Sequence, residues 1–380
     1  MTPTAGKNFM PPAGARVAVA MSGGVDSAVA ALLMVRAGHK VTGVTLKLWC
    51  SDTHPERETE KACCSREAID DAASTAARLG FPHHVWDFSA EFQEAVIAPF
   101  RETYFSGRTP NPCVDCNRNV RFTTLYDKLR AAGFDYLVTG HYARVLYENG
   151  EPRLYNGVDP KKDQSYVLWG IGADALAHTC FPLGDLVKSE VRALAAEANI
   201  PVADKEESQD ICFIPDNDLG GFLGVLERGD ILLNDGTKVG THTGAAQFTI
   251  GQRRGLGVGG GDEPLYVTRI DAIRNRVYIG REEELYASGA ILGEVSLLIE
   301  PAKLSSFDLD LKIPYKHSAA AGRAAIDADG RARVRFTEPQ KAITPGQSAV
   351  FFAGDRLLGG GVIDEAIPLV PAATPSAEGE

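Results

Sequence analysis

Three thiols and one carboxylate carry most of the chemical potential of this 380-residue chain. "GRTPNPCVDCNRNVRF" (107–122) sets Cys113 and Cys116 two residues apart in a loop rich in Pro, Asn and Arg. Thiolate is the reactive form of cysteine and positive charge favours it, so Arg108, Arg118 and Arg121 nearby in sequence suit a reactive pair. The same spacing also fits a metal or iron–sulfur site, or plain packing. A structural zinc would need a second ligand pair, for which Cys63–Cys64 is the compact candidate, and no thioredoxin-like context surrounds the motif. "ESQDICFIPD" (207–216) holds Cys212 between Ile211 and Phe213, which alone reads as a core cysteine. Cys180 and Cys50 read the same way. The seven cysteines are spaced too irregularly for a disulfide framework.

The carboxylate is Asp26, in "VAVAMSGGVDSAV" (17–29). A membrane or signal segment is excluded, because an acid and paired glycines sit at the centre of the apolar run, where lipid tolerates them least. The pattern predicts a short strand over Val17–Ala20, a turn, and a helix over Val25–Ala37 stopped by Gly38. Glycines at a strand–helix junction let backbone approach a ligand, and the N–H groups of a helix start favour anions. Ser22 and Ser27 add hydroxyls. A lone Ser-Gly-Gly is compatible with an ordinary turn, and no Gly-Lys-Ser/Thr follows to make a Walker A loop. The full string SGGVDS resembles the PP-loop of ATP pyrophosphatases, which cleave ATP to AMP and pyrophosphate while adenylating a substrate oxygen.

The elements that must hold these groups alternate. Strands are expected at 40–49, 83–88 and 135–140, with helices at 66–80, 90–105 and 120–132. This βαβ rhythm implies a mostly parallel, doubly wound sheet, whose ligands bind beyond the carboxyl ends of its strands. The glycine turn, Leu46 and Gly140-His141 should therefore converge on one crevice. From about 217 helices vanish, glycine rises through 229–261, and short alternating strands fill 289–366. The chain thus divides into an α/β domain (14–216), a small central β-rich domain (217–288) and a β-barrel or sandwich (289–366). Residues 1–13 and 367–380 read as disordered. A net charge of −11 argues mildly against a nucleic-acid partner, although a local basic surface still can bind phosphates. No charged region followed by an apolar core opens the sequence, so a secretory leader is not expected and a cytoplasmic protein is.

Two further segments stand out. "DPKKDQSYVLW" (159–169) reads either as a solvated turn before a strand or as a phosphate-contacting patch able to reach a base. "THTGAAQFTIGQRRGLGVGGG" (241–261) reads as a flexible basic loop around Arg253-Arg254.

Taken together, SGGVDS, "TPNPCVDCN", "TGHYAR", "KKDQSY", "SQDICFIP", "GTHTG…FTIGQRRGLGVGG" and "PGQSAVFF…GDRLLGGGVI" occur in the order of the bacterial tRNA-specific 2-thiouridylases. The resemblance spans about residues 14–366. It implies a PP-loop domain, a small central domain and a C-terminal β-barrel, and an enzyme that replaces oxygen 2 of the tRNA wobble uridine with sulfur. By that resemblance ATP would be held by Ala20, Met21, Ser22, Gly23, Gly24, Val25, Asp26 and Ser27, with Leu46 and Gly140. Magnesium would come with the nucleotide, through Asp26. Transfer RNA would be touched by His141, Lys162, Asp163, Gln164 and Gln347, with Asn111, Pro112 and Cys113 facing the target base. Cys116 would be the nucleophile and Cys212 the persulfide carrier, loaded by an upstream persulfide donor, and the two would end as a transient disulfide. Some relatives have an aspartate where this chain has Cys113, which leaves the acid/base role open, with Asp115 as a substitute. The "KIPYKHS" strand (312–318) is also less basic than the family pattern. The rival readings are a PP-loop amidotransferase or synthetase, and a non-catalytic tRNA-binding or iron–sulfur module with a relic ATP loop. For the sulfur step itself, the alternative to the relay is an iron–sulfur cluster held by Cys113, Cys116 and Cys212 with one open iron for sulfide.

Overall fold

Strand β1 (Arg16–Ala20) is buried on both faces, as its Val-Ala alternation without polar residues requires, and it sits at the centre of a parallel sheet. The computed structural model describes residues 6–48, 65–203, 205, 211–214, 218–224, 226–258, 263–313 and 319–369. Outside them lie Cys50, Cys63, Cys64, most of 204–217, the strand end expected at 314–318, and the last residues of the chain.

The sheet order is β3-β2-β1-β4-β7, with β2 at Lys40–Lys47, β3 at His83–Asp87, β4 at Tyr136–Val138 and β7 at Thr179–Cys180. Every pairing is parallel. Helix α1 (Val25–Arg36) is apolar almost all round because it is sandwiched. Ala30, Ala31 and Met34 pack on Val17 and Val19, while Val25, Val29 and Leu32 pack on Val191 and Ala195 of the helix Lys188–Glu197. Helix α2 (Arg66–Leu79) starts at Ser65, whose side chain accepts a hydrogen bond from the Ala68 N–H, and stops at Gly80, in the left-handed region.

The α/β expectation holds, with four differences. The 107–122 segment is a loop only as far as Asn111, because helical structure begins at Pro112 and runs to Ala131. Pro112 at the first position and Asn111 as cap favour that start. Its middle, Cys116–Leu125, is wound as a π-helix, and the Thr123 and Thr124 hydroxyls donate to the carbonyls of Arg118 and Asn119. The end of the 159–169 segment, read as a turn before a strand, is a 3-10 turn, Ser165–Leu168. A short helix, Leu219–Leu223, interrupts the β-rich region. Residues 6–12, expected to belong to a disordered arm, are packed. Asn8 is buried between the Phe181 carbonyl and the Val145 N–H, and the Phe9 ring packs at a tilt against Tyr136 and Tyr147.

The central domain is a four-stranded sheet ordered β10-β11-β8-β9, with β8 at Gly229–Leu233, β9 at Lys238–His242, β10 at Tyr266–Asp271 and β11 at Arg276–Gly280. The C-terminal domain is a closed barrel. Its strands are β12 (Tyr286–Leu297), β13 (Leu309–Lys312), β14 (Ala320–Ile326), β15 (Ala332–Lys341), β16 (Ser348–Ala353) and β17 (Arg356–Pro368), closed by β12 on β17. A hairpin of the first domain, β5 (Ala143–Glu148) and β6 (Glu151–Asn156), leaves the parallel sheet and joins this barrel through β17. The buried pair Arg144–Asp355, 3.0 Å apart, locks that junction. Val350, Phe352 and Leu357 of the barrel share an apolar cluster with Phe92, Trp169 and Cys116. Among the described residues no helix is long and apolar enough to cross a membrane.

Candidate active site

In a sheet ordered 3-2-1-4 the order in which strands are added reverses between β1 and β4, and a crevice forms beyond their carboxyl ends. A cavity of about 150 Å³ occupies that place. Seven of the ten residues assigned to the nucleotide line it, namely Ala20, Met21, Ser22, Asp26, Ser27, Leu46 and Gly140. Gly23, Gly24 and Val25 form the turn behind them. Gly23 has φ +71, and a Cβ there would stand 2.3 Å from the Ala68 carbonyl oxygen, so the first turn of α2 leaves room for glycine alone. The Ser22 N–H donates to Ser27 Oγ at 3.2 Å, and Ser27 Oγ donates to the Gly24 carbonyl at 3.0 Å. The turn is thus shaped before any ligand arrives.

Asp26 is held by two groups that sequence reading misses. Lys188 Nζ lies 2.7 and 2.9 Å from its carboxylate oxygens, and the Tyr142 hydroxyl donates to Oδ1 at 2.7 Å. A carboxylate beside an anion-binding turn repels phosphate unless a cation neutralises it, and Lys188 supplies that charge. The Lys188 backbone N–H donates to Asp159, so the helix bearing Lys188 is tied to the 159–164 turn. Its context, "PLGDLVKSE", shows no sign of this role, because the partner is 162 positions away.

His141 does not sit on an outer surface. It lines the same cavity, ringed by Phe122 and Phe181, with Nδ1 2.7 Å from the Thr139 hydroxyl. Burial, with the Arg121 charge second, pushes its pKa down to about 3. The unfolded chain binds that proton near the ordinary value of 6.5, so the stabilising contribution is complete above 6.5 and is lost as pH falls toward 3. His141→Gln is therefore expected to lose less stability than wild type between pH 7 and 4.5 in urea titrations. The difference approaches about 1.4 kcal/mol per pH unit. Parallel losses in the two proteins would refute this assignment.

The cysteine helix, 112–131, reaches the cavity through Arg121. Cys116 is buried in the apolar core, Cys113 is exposed, and Cys212 is half-buried against the same apolar cluster as Cys116. Phe213 anchors the Cys212 segment by edge-on contacts with Phe92 and Phe100. Two of the three arginines expected to serve the thiols are committed elsewhere. Arg108 pairs with Asp364, and Arg118 pairs with Glu294 of β12 at 2.7 Å. Burial, reinforced by the Glu294 charge and opposed by Arg118, raises the Asp115 carboxyl to about 7. Cys113, Cys116, Cys180 and Cys212 are thiols in this structure, so the expected Cys116–Cys212 disulfide, a product of turnover, is not formed here. Among the described residues no three His, Cys, Asp or Glu side chains are placed to hold a metal ion. The three-thiolate site of the iron–sulfur reading is not assembled, because Cys113 faces outward while Cys116 faces the core.

The remaining assignments divide. Lys161 is exposed and Lys162 half-exposed. Asp163 is turned inward, accepting from the Gly157 and Ser165 N–H groups and from Lys312 Nζ at 2.9 Å. Gln164 lines the cavity and accepts from the Tyr142 N–H. Gln347 donates to the carbonyls of Thr109 and Pro110.

Family models match the chain in three consecutive blocks, a tRNA methyl transferase HUP domain over 15–216, a tRNA methyl transferase PRC-barrel domain over 219–281, and an aminomethyltransferase beta-barrel domain over 288–363. The tRNA-specific 2-thiouridylase MnmA of Geotalea uraniireducens is 46% identical over 93% of this chain and 96% of its own length. That of Geobacter metallireducens is 46% identical over 93% and 97%. This chain belongs to the tRNA-specific 2-thiouridylases, a family of tRNA sulfurtransferases. Among solved structures, a 4-thiouridine synthetase–RNA complex with bound ATP aligns with TM-score 0.36 and 18% identity, over 54% of this chain and 47% of that one. The thiouridylase match runs nearly end to end, which removes the support for the rival synthetase reading.

Proposed function

We propose that this thiouridylase uses ATP to activate oxygen 2 of the wobble uridine of tRNA and delivers sulfur from a persulfide on Cys212. The observation that supports the reading is the link between the two groups of residues, since the helix bearing Cys116 also contributes Arg121 to the cavity at the glycine turn. A uridine carbonyl oxygen is a poor leaving group. Transfer of AMP to it, with pyrophosphate departing, makes it a good one. The terminal sulfur of the Cys212 persulfide then bonds to C2. The Cys116 thiolate attacks Cys212 Sγ and breaks the S–S bond, and the released electron pair forms C2=S as AMP leaves. The Cys116–Cys212 disulfide left behind is returned to thiols by an external dithiol reductant. Magnesium accompanying ATP would meet the Asp26 carboxylate, supplying charge neutralisation for the departing pyrophosphate. The target base must leave its stack to present its oxygen 2 to these groups.

Nucleoside mass spectrometry of tRNA incubated with the protein, ATP and a persulfide donor tests the reading directly. Wild-type protein that makes AMP and pyrophosphate but no 2-thiouridine would refute it. The basic side chains of Lys161, Lys162, Arg253 and Arg254, all at least partly exposed, fit an RNA backbone. Lys161→Ala with Lys162→Ala is expected to weaken tRNA binding and to flatten its salt dependence. The log–log slope should fall by about 0.7–0.9 for each phosphate that these lysines neutralise. ATP binding should stay intact. An unchanged slope would take these lysines out of the interface.

A further inference from the structure

Asp26 and Arg121 are the charged side chains among the described residues that line the cavity at the glycine turn. Lys188 is committed to both oxygens of Asp26, at 2.7 and 2.9 Å, so that pair brings no net positive charge to a nucleotide. Arg121 comes from a different element, the cysteine helix, and its charge reaches His141, another residue of the lining.

The place of Arg121 is fixed by its neighbours. Val120 and Phe122 are both buried, and the Phe122 ring packs edge-on against Phe181 and at a tilt against His141. The stretch is wound as a π-helix, with the Thr123 hydroxyl donating to the Arg118 carbonyl at 2.7 Å and the Thr124 hydroxyl to that of Asn119 at 3.0 Å. Windings of this kind are frequent at functional sites. Arg121 is five positions from Cys116, which is no more than about 7.5 Å along the helix axis.

Adenylation makes one bond and breaks one. Oxygen 2 of the uridine gives an electron pair to the α-phosphorus of ATP. The bond from that phosphorus to its bridging oxygen breaks, pyrophosphate leaves with the pair, and the N3 proton goes to water. Negative charge shifts among the phosphate oxygens as these bonds exchange, so a cation fixed beside them lowers the barrier. A guanidinium suits the task, since its parallel N–H groups meet two phosphate oxygens at once and it stays charged at every working pH.

We propose that Arg121 is a catalytic residue of adenylation, pairing through its guanidinium with the α-phosphate of ATP in the cavity. This rests on the uridine-activation reading above. It places the adenylated oxygen at the helix that carries Cys116, where the sulfur step follows.

Single-turnover pyrophosphate release by the full chain would be followed with saturating ATP, magnesium and tRNA in Arg121→Ala and Arg121→Lys. Arg121→Ala is expected to be about a hundredfold slower than wild type, the loss typical of removing one donor at a developing charge. Arg121→Lys keeps the charge but not the fork, and its rate should fall between the two. The two diastereomers of ATP with sulfur on the α-phosphorus identify the contact. Wild type should use one of them faster than the other, and that preference should shrink in both variants. Wild-type rates in both variants would overturn the proposal. So would an unchanged preference in slowed variants, the result expected of a merely structural arginine. If Arg121→Ala folds poorly, Arg121→Lys with the two diastereomers decides alone. Wild-type protein that releases no pyrophosphate with tRNA present would instead remove the uridine-activation reading, and this proposal with it.

Discussion

Cys116→Ser and Cys212→Ser are each expected to abolish 2-thiouridine formation, by at least about a thousandfold, while Cys113→Asp is expected to stay within about tenfold of wild type. The geometry sets this order. Cys116 and Cys212 belong to one apolar cluster, whereas Cys113 is turned to solvent on the same helix as Cys116. A hydroxyl cannot carry a persulfide, and it is a far weaker nucleophile toward a disulfide than a thiolate. Pyrophosphate release should continue in both serine variants, because adenylation precedes the thiol steps. The assay is mass spectrometry of thiouridine without added iron. If all three variants are inactive and wild type requires reconstituted iron, the relay is wrong.

The second large effect is expected at the other end of the cavity. Lys188→Ala leaves the Asp26 carboxylate unneutralised beside the phosphate turn, and Asp26→Ala leaves the lysine without its partner. At an effective dielectric near 20, like unit charges about 4 Å apart repel by about 4 kcal/mol, so Lys188→Ala should slow pyrophosphate release about 100–1,000-fold, while Asp26→Ala should slow it by releasing Lys188 from its place beside the turn. The two side chains touch, so the double variant should be no worse than the poorer single. Tyr142→Phe removes one hydrogen bond and should cost far less. Pyrophosphate release at the wild-type rate in Lys188→Ala would take the lysine out of the machinery.

What sequence reading can reach follows from how far apart the cooperating residues lie. The turn between β1 and α1 is local, its residues announce their conformations by type, and the parallel sheet follows from the alternation of strand and helix. Lys188 is invisible at that level because an isolated lysine at a helix start looks solvated until the fold brings Asp26 to it. Asp163 looks like part of a basic patch because its charge partner, Lys312, is 149 positions away in the barrel. The motif around His141 gives no sign that Phe122 and Phe181 flank its ring at the wall of the cavity. The cysteine segment looks like a loop because Pro and Asn signal turns, yet here they cap and begin a helix. Gln347 shows the same limit, since its amide faces a loop 237 residues earlier in the chain.

The hairpin β5–β6 has a consequence for how this protein is made. Strand β6, already paired with β5, finds its second neighbour only when Arg356 and Leu357 arrive, about two hundred residues after Tyr155 has left the ribosome, which at ordinary synthesis rates is about 10–40 s. During that interval Leu154 and Tyr155 sit on an open strand edge, a template for pairing with other chains. The nascent first domain is therefore the aggregation-sensitive form of the protein, and a chain truncated before residue 356 remains in that form permanently.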